Sequence, residues 1–446
     1  MEILEQFRTL LNEKNYSKLR ELAEEMNVQD VALVLDEMED EDMLKMFRIF
    51  PKELAADVFA ELEVESQQYI ITSLSEKEAG IIIDNLYADD ATDLLEEMPA
   101  NVVKKILANA KPETRKDINH LLQYPEDSAG SIMTVEFVDL HINMTVEDAI
   151  QRIREYGSDS ESIETLYVLN PKRVLLGTVG LRQLILGNKE DRIEDIMHEE
   201  FISCTTSMDQ ELVSQLFMKY DLVQLPVVDK ENRMVGIITV DDVIDIIQEE
   251  ATEDIDKMAG IIPGDKAYLK TSVFETWKKR IPWLLLLMIS ATFTGGIIKG
   301  FEDALSKYIV LTAYIPMLMD TGGNSGNQAS AEVVRSLSLG QISFADFTKV
   351  IWKEIRVGVL CGLTLSVANF AKCILIDRLE YGVALVICLT ILLAVFIAKL
   401  FASMLVMLID RVHLDPAVVA SPMLTTAIDA VSLLIYFSIA TMLLGI

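Results

Sequence analysis

Between residues 31 and 107 the apolar positions return every twelve residues. Val34, Met46, Val58, Ile70, Ile82, Leu94 and Ile106 are in step, as are Leu35, Phe47, Phe59, Ile71, Ile83, Leu95 and Leu107. Met38, Phe50, Leu62, Leu74, Leu86 and Met98 form a third series. Within each unit the apolar residues sit at i, i+1 and i+4, which is one stripe of a helix. Twelve residues hold about two helical turns and a connector. The pattern therefore predicts a stack of short helices that buries a core only between neighbours.

A longer repeat follows over residues 131–250. Leu166–Asn170 matches Leu225–Asp229, and Gly177–Gln183 matches Gly236–Asp242, both at an offset of 59. Thr145-Val-Glu-Asp148 and Ser207-Met-Asp-Gln210 each open a helix with capping-box spacing or a close variant. Each unit reads strand, helix, strand, strand, helix. Such small units are expected to pair.

After Trp277 the pattern changes to apolar stretches of about 20 residues or more, long enough to cross a bilayer. They fall at roughly 281–301, 308–335, 355–376, 382–409 and 417–445. Five spans place the two termini on opposite sides. Lys278, Lys279 and Arg280 precede the first span, and Arg335, Lys349, Lys353 and Arg356 lie around the second-to-third connection. That bias predicts a cytoplasmic N-terminus.

Charge follows the same division. Before Ile281 there are 29 Lys+Arg against 59 Asp+Glu; from Ile281 onward there are 10 against 11. Nearly all of the net charge of −31 therefore lies on the soluble side. No basic footprint for nucleic acid is present. Frequent Leu, Ile, Val and Met argue against disorder. The four cysteines, Cys204, Cys361, Cys373 and Cys388, form no CxxC pair, so neither a disulfide framework nor a zinc site is expected. The charged, amphipathic N-terminus is not a signal peptide.

Two spans carry chemistry. The second reads Asp320-Thr-Gly-Gly323-Asn324-Ser-Gly-Asn327-Gln328. These groups are costly against lipid, and irregular backbone at that depth is expected to line a cavity. In the fifth, Ser421, Thr425 and Asp429 are spaced i, i+4 and i+8, so the expectation is one shared helix face. An ionisable residue inside a span is a functional-site hypothesis. Carboxylates, amides and hydroxyls suit a hard cation, and a sparse site suits Mg²⁺ better than Ca²⁺. The path shows no ring of Arg or Lys for anions and no thiol–imidazole cluster for a soft metal.

The soluble half adds two acidic groupings. Asp89, Asp90 and Asp93 lie in the twelve-residue repeat. Asp242, Asp245 and Glu249 share one helix face, and Glu250, Glu253 and Asp254 share another, with no basic residue until Lys257. Such faces are solvated, or a divalent cation bridges them to a second acidic surface.

Taken together, the Thr321–Gln328 segment, Asp415-Pro-Ala417 with Asp429, the paired cystathionine-β-synthase-like (CBS) units and Glu250-Ala-Thr-Glu253-Asp254 resemble the MgtE family of magnesium channels and transporters. The resemblance implies a multidomain membrane protein in the cell membrane: an all-α superhelical N-terminal domain over 1–125, an α/β CBS pair over 126–250, a connecting plug helix over 251–280 and a five-span α-helical pore domain over 281–446. It implies a homodimer that takes up Mg²⁺ and is gated by it, and no enzyme activity. Asp429 becomes the main pore carboxylate, acting through water bound to Mg²⁺, with Asp320, Gly323, Asn327, Ser421 and Thr425 on the same path. Family members differ at the position of Asp320. Asp242, Asp245, Glu250, Glu253, Asp254, Glu211 and Asp221 match regulatory magnesium positions, with Asp89, Asp90 and Asp93 as partner carboxylates. CBS units often hold adenine nucleotides through Ser/Thr-x-x-Asp. Thr239 and Asp242 satisfy this and point to ATP, whereas Gly180 and Gln183 in the first unit do not. A channel for Co²⁺ or Mn²⁺, or a nucleotide-sensing membrane regulator, are the alternative readings.

Overall fold

The computed structural model describes residues 2–264, 268–412, 414–419 and 422–445. It divides into two compact units, Met1–Ile246 and Ile247–Ile446.

The first unit opens with helices Glu2–Asn12 and Tyr16–Glu25. Then come Val28–Asp36, Asp40–Phe47, Lys52–Ala60, Val64–Ser73, Glu76–Ile83, Ala88–Glu96, Ala100–Asn109 and Pro112–Leu121. Their first residues are twelve apart, as the periodicity predicts. The in-step residues Val34, Met46, Val58, Ile70, Ile82, Leu94 and Ile106 are all buried in one core. Short helices of this length are marginal alone, so packing sustains them. Each packs chiefly on the next helix but one, giving two interleaved columns. The periodicity carries no information on that pairing. Local caps sharpen the starts: Asn27 accepts from Gln29 N–H, and Ser75 and Glu78 form a reciprocal capping box.

Two three-stranded sheets follow. β1 (Phe137–His141) lies parallel to β2 (Ser162–Leu169), which pairs antiparallel with β3 (Leu175–Gly180). β4 (Cys204–Thr205), β5 (Gln224–Val228) and β6 (Met234–Thr239) repeat the arrangement. The repeat extends to register: Leu166 faces Val179, and 59 residues on Leu225 faces Ile238. It extends to the turns as well. Asn170 Oδ1 accepts from the backbone N–H groups of Lys172 and Val174 at 2.9 and 3.0 Å. Asp229 Oδ1 does the same for Glu231 and Arg233 at 2.9 and 2.8 Å. The two units pair as expected, through bridges Thr134–Ile237 and Val174–Arg233. The buried Tyr167 hydroxyl donates to Gln224 Oε1 at 3.1 Å.

The connecting segment departs from expectation. It is not one helix over 251–280. The helix that follows β6, Val240–Met258, stops at Gly260, whose φ is +69°. Gly260 N–H bonds Lys257 O and Ile261 N–H bonds Asp256 O, the paired hydrogen bonds of a Schellman terminus. A new helix, Val273–Gly300, begins under a Ser272 cap and already contains Lys278–Arg280.

Among the described residues, four helices of the second unit are long and apolar enough to cross a membrane, a statement about their length and composition: Val273–Gly300, Phe347–Leu375 with the turn at Phe344 that leads into it, Tyr381–Arg411 and Pro422–Leu444. The remaining expected span, 308–335, is a 3₁₀ turn at Ile309–Tyr314 followed by the helix Ile315–Ser338, which is too polar for that group. The glycine-rich stretch at 320–328 is regular α-helix rather than irregular backbone, because neighbouring helices pack closely on it. Tyr381–Arg411 is central, packing on Phe347–Leu375, Ile315–Ser338 and Pro422–Leu444. The last expected span, 417–445, comprises a short helix Pro416–Val419 and the longer Pro422–Leu444.

Candidate functional site

In the membrane unit the polar helix Ile315–Ser338 packs against the terminal helix Pro422–Leu444. Small residues permit the approach. A methyl group at Gly323 would come 2.7 Å from Thr425 Cγ2, and one at Gly326 would come 2.1 Å from Ile428 Cδ1. Asp320, Gly323, Asn324, Thr425 and Asp429 line one cleft of about 370 Å³, with Ile315, Pro316 and Met319. Thr425 and Asp429 thus share the expected helix face. Asn327 does not line this cleft; its Oδ1 accepts from Thr425 Oγ1 at 3.0 Å and sets the rotamer of that lining residue. Ser421 lies outside the described residues.

Asp429 and Asp320 interact electrostatically across the cleft. Asp429 Oδ1 is buried and accepts no hydrogen bond from the described residues. An orphan carboxylate oxygen is costly, and a cation or its bound water satisfies it. With Asn324, Asp320 and the Thr425 hydroxyl, all donors here are oxygen or amide, the set that a hard divalent cation takes. Asn324 belongs to the polar sequence motif, and the packing of the two helices places it in the cleft.

In the soluble unit, Asp89, Glu161 and Asp242 bring carboxylate oxygens within 4.8 Å of one another. Asp89 starts helix Ala88–Glu96, Glu161 immediately precedes β2, and Asp242 starts the helix after β6. The buried Thr239 hydroxyl lies 2.6 Å from Asp242 Oδ2 and 3.2 Å from Glu161 Oε1. Glu161 Oε2 is buried with no hydrogen-bond partner among the described residues. Burial, then the neighbouring Glu161, pushes Asp89 well above the usual carboxylate range. Burial and Asp242 push Asp90 up to about 7 and Glu161 up to about 8. Burial pushes Asp242 up to about 6, against the hydrogen bond from Thr239. Three crowded acids favour protons, or a cation that stands in for them.

The other acidic residues are distributed differently. Asp93 and Asp245 are exposed; Asp245 faces Asp242 and Glu61. Glu211 and Asp221 lie at opposite ends of the Gln210–Tyr220 helix, so the structure does not bring them together. Glu250 and Glu253 are partly buried in the linker helix. Lys257 Nζ binds Glu253 Oε1 at 2.5 Å and Asp415 Oδ2 at 2.6 Å, and Ser338 Oγ donates to Asp254 Oδ2 at 3.0 Å. Burial, against the hydrogen bond from Ser338, raises the Asp254 pKa. Burial works against the Lys257 charge, but Asp415 and Glu253 raise its pKa overall. Sequence reading missed Glu161 and the pairing role of Asp415. Glu161 hydrogen-bonds Thr239 across 78 residues, and no local pattern marks it.

Comparison with known proteins is consistent across the chain. Residues 315–439 match the family described as a divalent cation transporter, MgtE. Residues 26–127 match the MgtE intracellular N domain, and 129–187 and 193–249 match CBS domains. The magnesium transporter MgtE of Thermus thermophilus is 36% identical over 442 residues, covering 97% of each chain. That of Bacillus subtilis is 32% identical over 432 residues, covering 97% of this chain and 95% of its own. A crystal structure of the cytosolic domain of the Mg²⁺ channel MgtE in complex with ATP is 35% identical, with a TM-score of 0.52, and covers 55% of this chain and 99% of its own.

Proposed function

The chain belongs to the MgtE family of magnesium transporters, and we propose that Asp429 is the carboxylate on which Mg²⁺ passes through the membrane unit. The observation that carries this is the buried, unpartnered Asp429 Oδ1 in the cleft it shares with Asp320, Asn324 and Thr425. Mg²⁺ keeps much of its water and uses one or two carboxylates. Thr425, held by Asn327, and Asn324 offer further oxygens to that water. Asp320 adds negative charge and raises the local cation concentration. Ser421 is assigned to the same path by its place in the sequence.

The proposed organisation is a helical domain to residue 125, a CBS pair to 250, a connecting segment to 280 and a pore domain beyond. The working form is a homodimer with the conduit near its two-fold axis. The N-terminal domains are cytoplasmic and the C-terminus lies on the other side. It is a transporter and no enzyme. Cytosolic Mg²⁺ bridges Asp89, Glu161 and Asp242, with Asp90, Asp245 and Glu61 around them. Asp93, Glu211, Asp221, Glu250, Glu253 and Asp254 are further regulatory positions. Without the ion the acids repel; with it, the closed state is favoured to the extent that it binds Mg²⁺ more tightly. ATP is a second ligand for Thr239 and Asp242, supported by the ATP complex of the related cytosolic domain. Because Thr239 already holds Asp242 and Glu161, nucleotide and cation bear on the same carboxylate.

Mg²⁺ flux into liposomes, with Mg²⁺ varied on the cytosolic side, tests the reading. Wild type should conduct, and conduct less as that Mg²⁺ rises. Asp429→Ala should assemble but not conduct; normal flux in that variant removes Asp429 from its role.

A further inference from the structure

The membrane unit holds a second cluster of ligand atoms, chemically unlike the first. Cys373, near the end of helix Phe347–Leu375, and Cys388, early in Tyr381–Arg411, are both free and buried. A short connection turns one helix into the other, and the hairpin is tight. Gly358 and Gly362 admit the backbones of Phe396 and Leu392, and Ser366 Oγ donates to Cys388 O at 2.9 Å. Within this seam the two thiols are near enough to act on each other electrostatically. The amide nitrogen of Asn369, itself buried, lies 3.5 Å from Cys373 Sγ and 3.8 Å from Cys388 Sγ. One buried amide nitrogen thus lies beside both sulfurs. The Tyr314 hydroxyl lies near enough to act electrostatically on Cys373. Its own proton goes to Asp377 Oδ2 at 2.5 Å, and Lys372 Nζ binds that same oxygen at 2.8 Å.

We propose that Cys373 and Cys388 form a binding site for a soft, thiophilic divalent cation of the class of Cd²⁺ and Hg²⁺, separate from the oxygen-lined cleft. Thiolate ligands select soft metals, whereas Mg²⁺ takes oxygen, so the cargo ion does not compete. Binding breaks two S–H bonds, forms two metal–sulfur bonds and releases two protons; it needs no oxidant. Two metal–sulfur bonds of about 2.3 Å span sulfurs up to about 4.6 Å apart, and the amide nitrogen shared by both holds this pair beside one another. The Asn369 amide stays on the sulfurs and offsets the charge that they gain. The ion staples two helices, one of which, Tyr381–Arg411, supports the polar helix through Ala398 and Ala402 beside Ala329 and Ile428. The spacing of the two cysteines matches no motif, because two antiparallel helices, rather than one turn, bring them together.

The test uses the full chain in detergent, with Cys204→Ser and Cys361→Ser leaving only these two thiols. Cd²⁺ is titrated in excess Mg²⁺ and read by ultraviolet cadmium–thiolate charge-transfer absorption and by thermal melting. A single Cd²⁺ per chain should bind, raise the melting temperature, and still do so when Asp429→Ala is added. Both signals should vanish in Cys373→Ser and, independently, in Cys388→Ala. Melting curves without metal establish that each variant is folded. A folded two-thiol protein that shows no charge-transfer band overturns the proposal, as does a band that survives either replacement.

Discussion

Two groups of carboxylates in this molecule, the proposed conduit and the proposed sensor, answer opposite demands. Asp320 and Asp429 are the two carboxylates lining a cleft that they share with Asn324, Thr425 and apolar side chains. Asp89, Glu161 and Asp242 are crowded within 4.8 Å, and burial pushes their affinity for protons upward. A conduit must release its ion, so a sparse site with one orphan oxygen suits it. A sensor must change state when the ion arrives, so it gains from a cluster that is unstable without a cation. The difference is one of crowding rather than of residue type.

The strongest way to break the contrast is exchange of function. Asp429→Ala should abolish flux, whereas Glu161→Gln should leave the conduit intact and weaken its inhibition by cytosolic Mg²⁺. Equal loss of flux in both variants would erase the distinction. Protease protection sharpens it next. In wild type, Mg²⁺ in the millimolar range should slow cleavage near Glu126 and Gly260. In Glu161→Gln the protecting concentration should rise several-fold, and the metal-free protein should gain about 1–3 kcal/mol, the cost of a buried group without a partner. Cleavage that ignores Mg²⁺ in wild type would sink the bridging model.

Acidity separates the two groups further. A carboxylate whose folded pKa is raised favours the folded form when protonated. That stability is fully present below the ordinary carboxylate range near about 4. It is lost as pH rises through about 6 to 8, the values of Asp242, Asp90 and Glu161. Without Mg²⁺, hydrogen exchange in the full chain should therefore quicken around these residues between pH 5 and pH 8.5, and added Mg²⁺ should suppress the change. Flat exchange across that range would count against the crowding. The smallest effect is expected at the linker. Gly260→Ala forces a side chain into the left-handed region at a cost of about 1–2 kcal/mol. It should loosen the end of Val240–Met258 and speed proteolysis near Gly260 modestly, without touching Asp429.

Legibility in the sequence differed by the range of the interaction. The twelve-residue repeat places helix starts from Val28 to Pro112, and the offset of 59 carries through to strand register and turn geometry. Thr425 and Asp429 share a face because they are one turn apart on a helix. Polarity of side chains does not by itself break a helix. Helix Ile315–Ser338 stays regular through its glycines because the terminal helix needs their missing side chains. The resemblance implies one connecting helix over 251–280, whereas the left-handed Gly260 and its paired hydrogen bonds end the first helix there.

What the sequence alone determined was everything set by neighbours within a turn or a strand: the repeats, the division of charge, the apolar helices and the face bearing Asp429. Periodicity of side chains and cost of burial act locally, so they can be read along the chain. Only the tertiary structure decided which acids meet. Glu161 finds Thr239 across 78 residues, Lys257 finds Asp415, and Cys373 finds Cys388 across a helical hairpin. These meetings depend on how packed surfaces fit, and the fit is a property of the whole core, carried by no single stretch of residues.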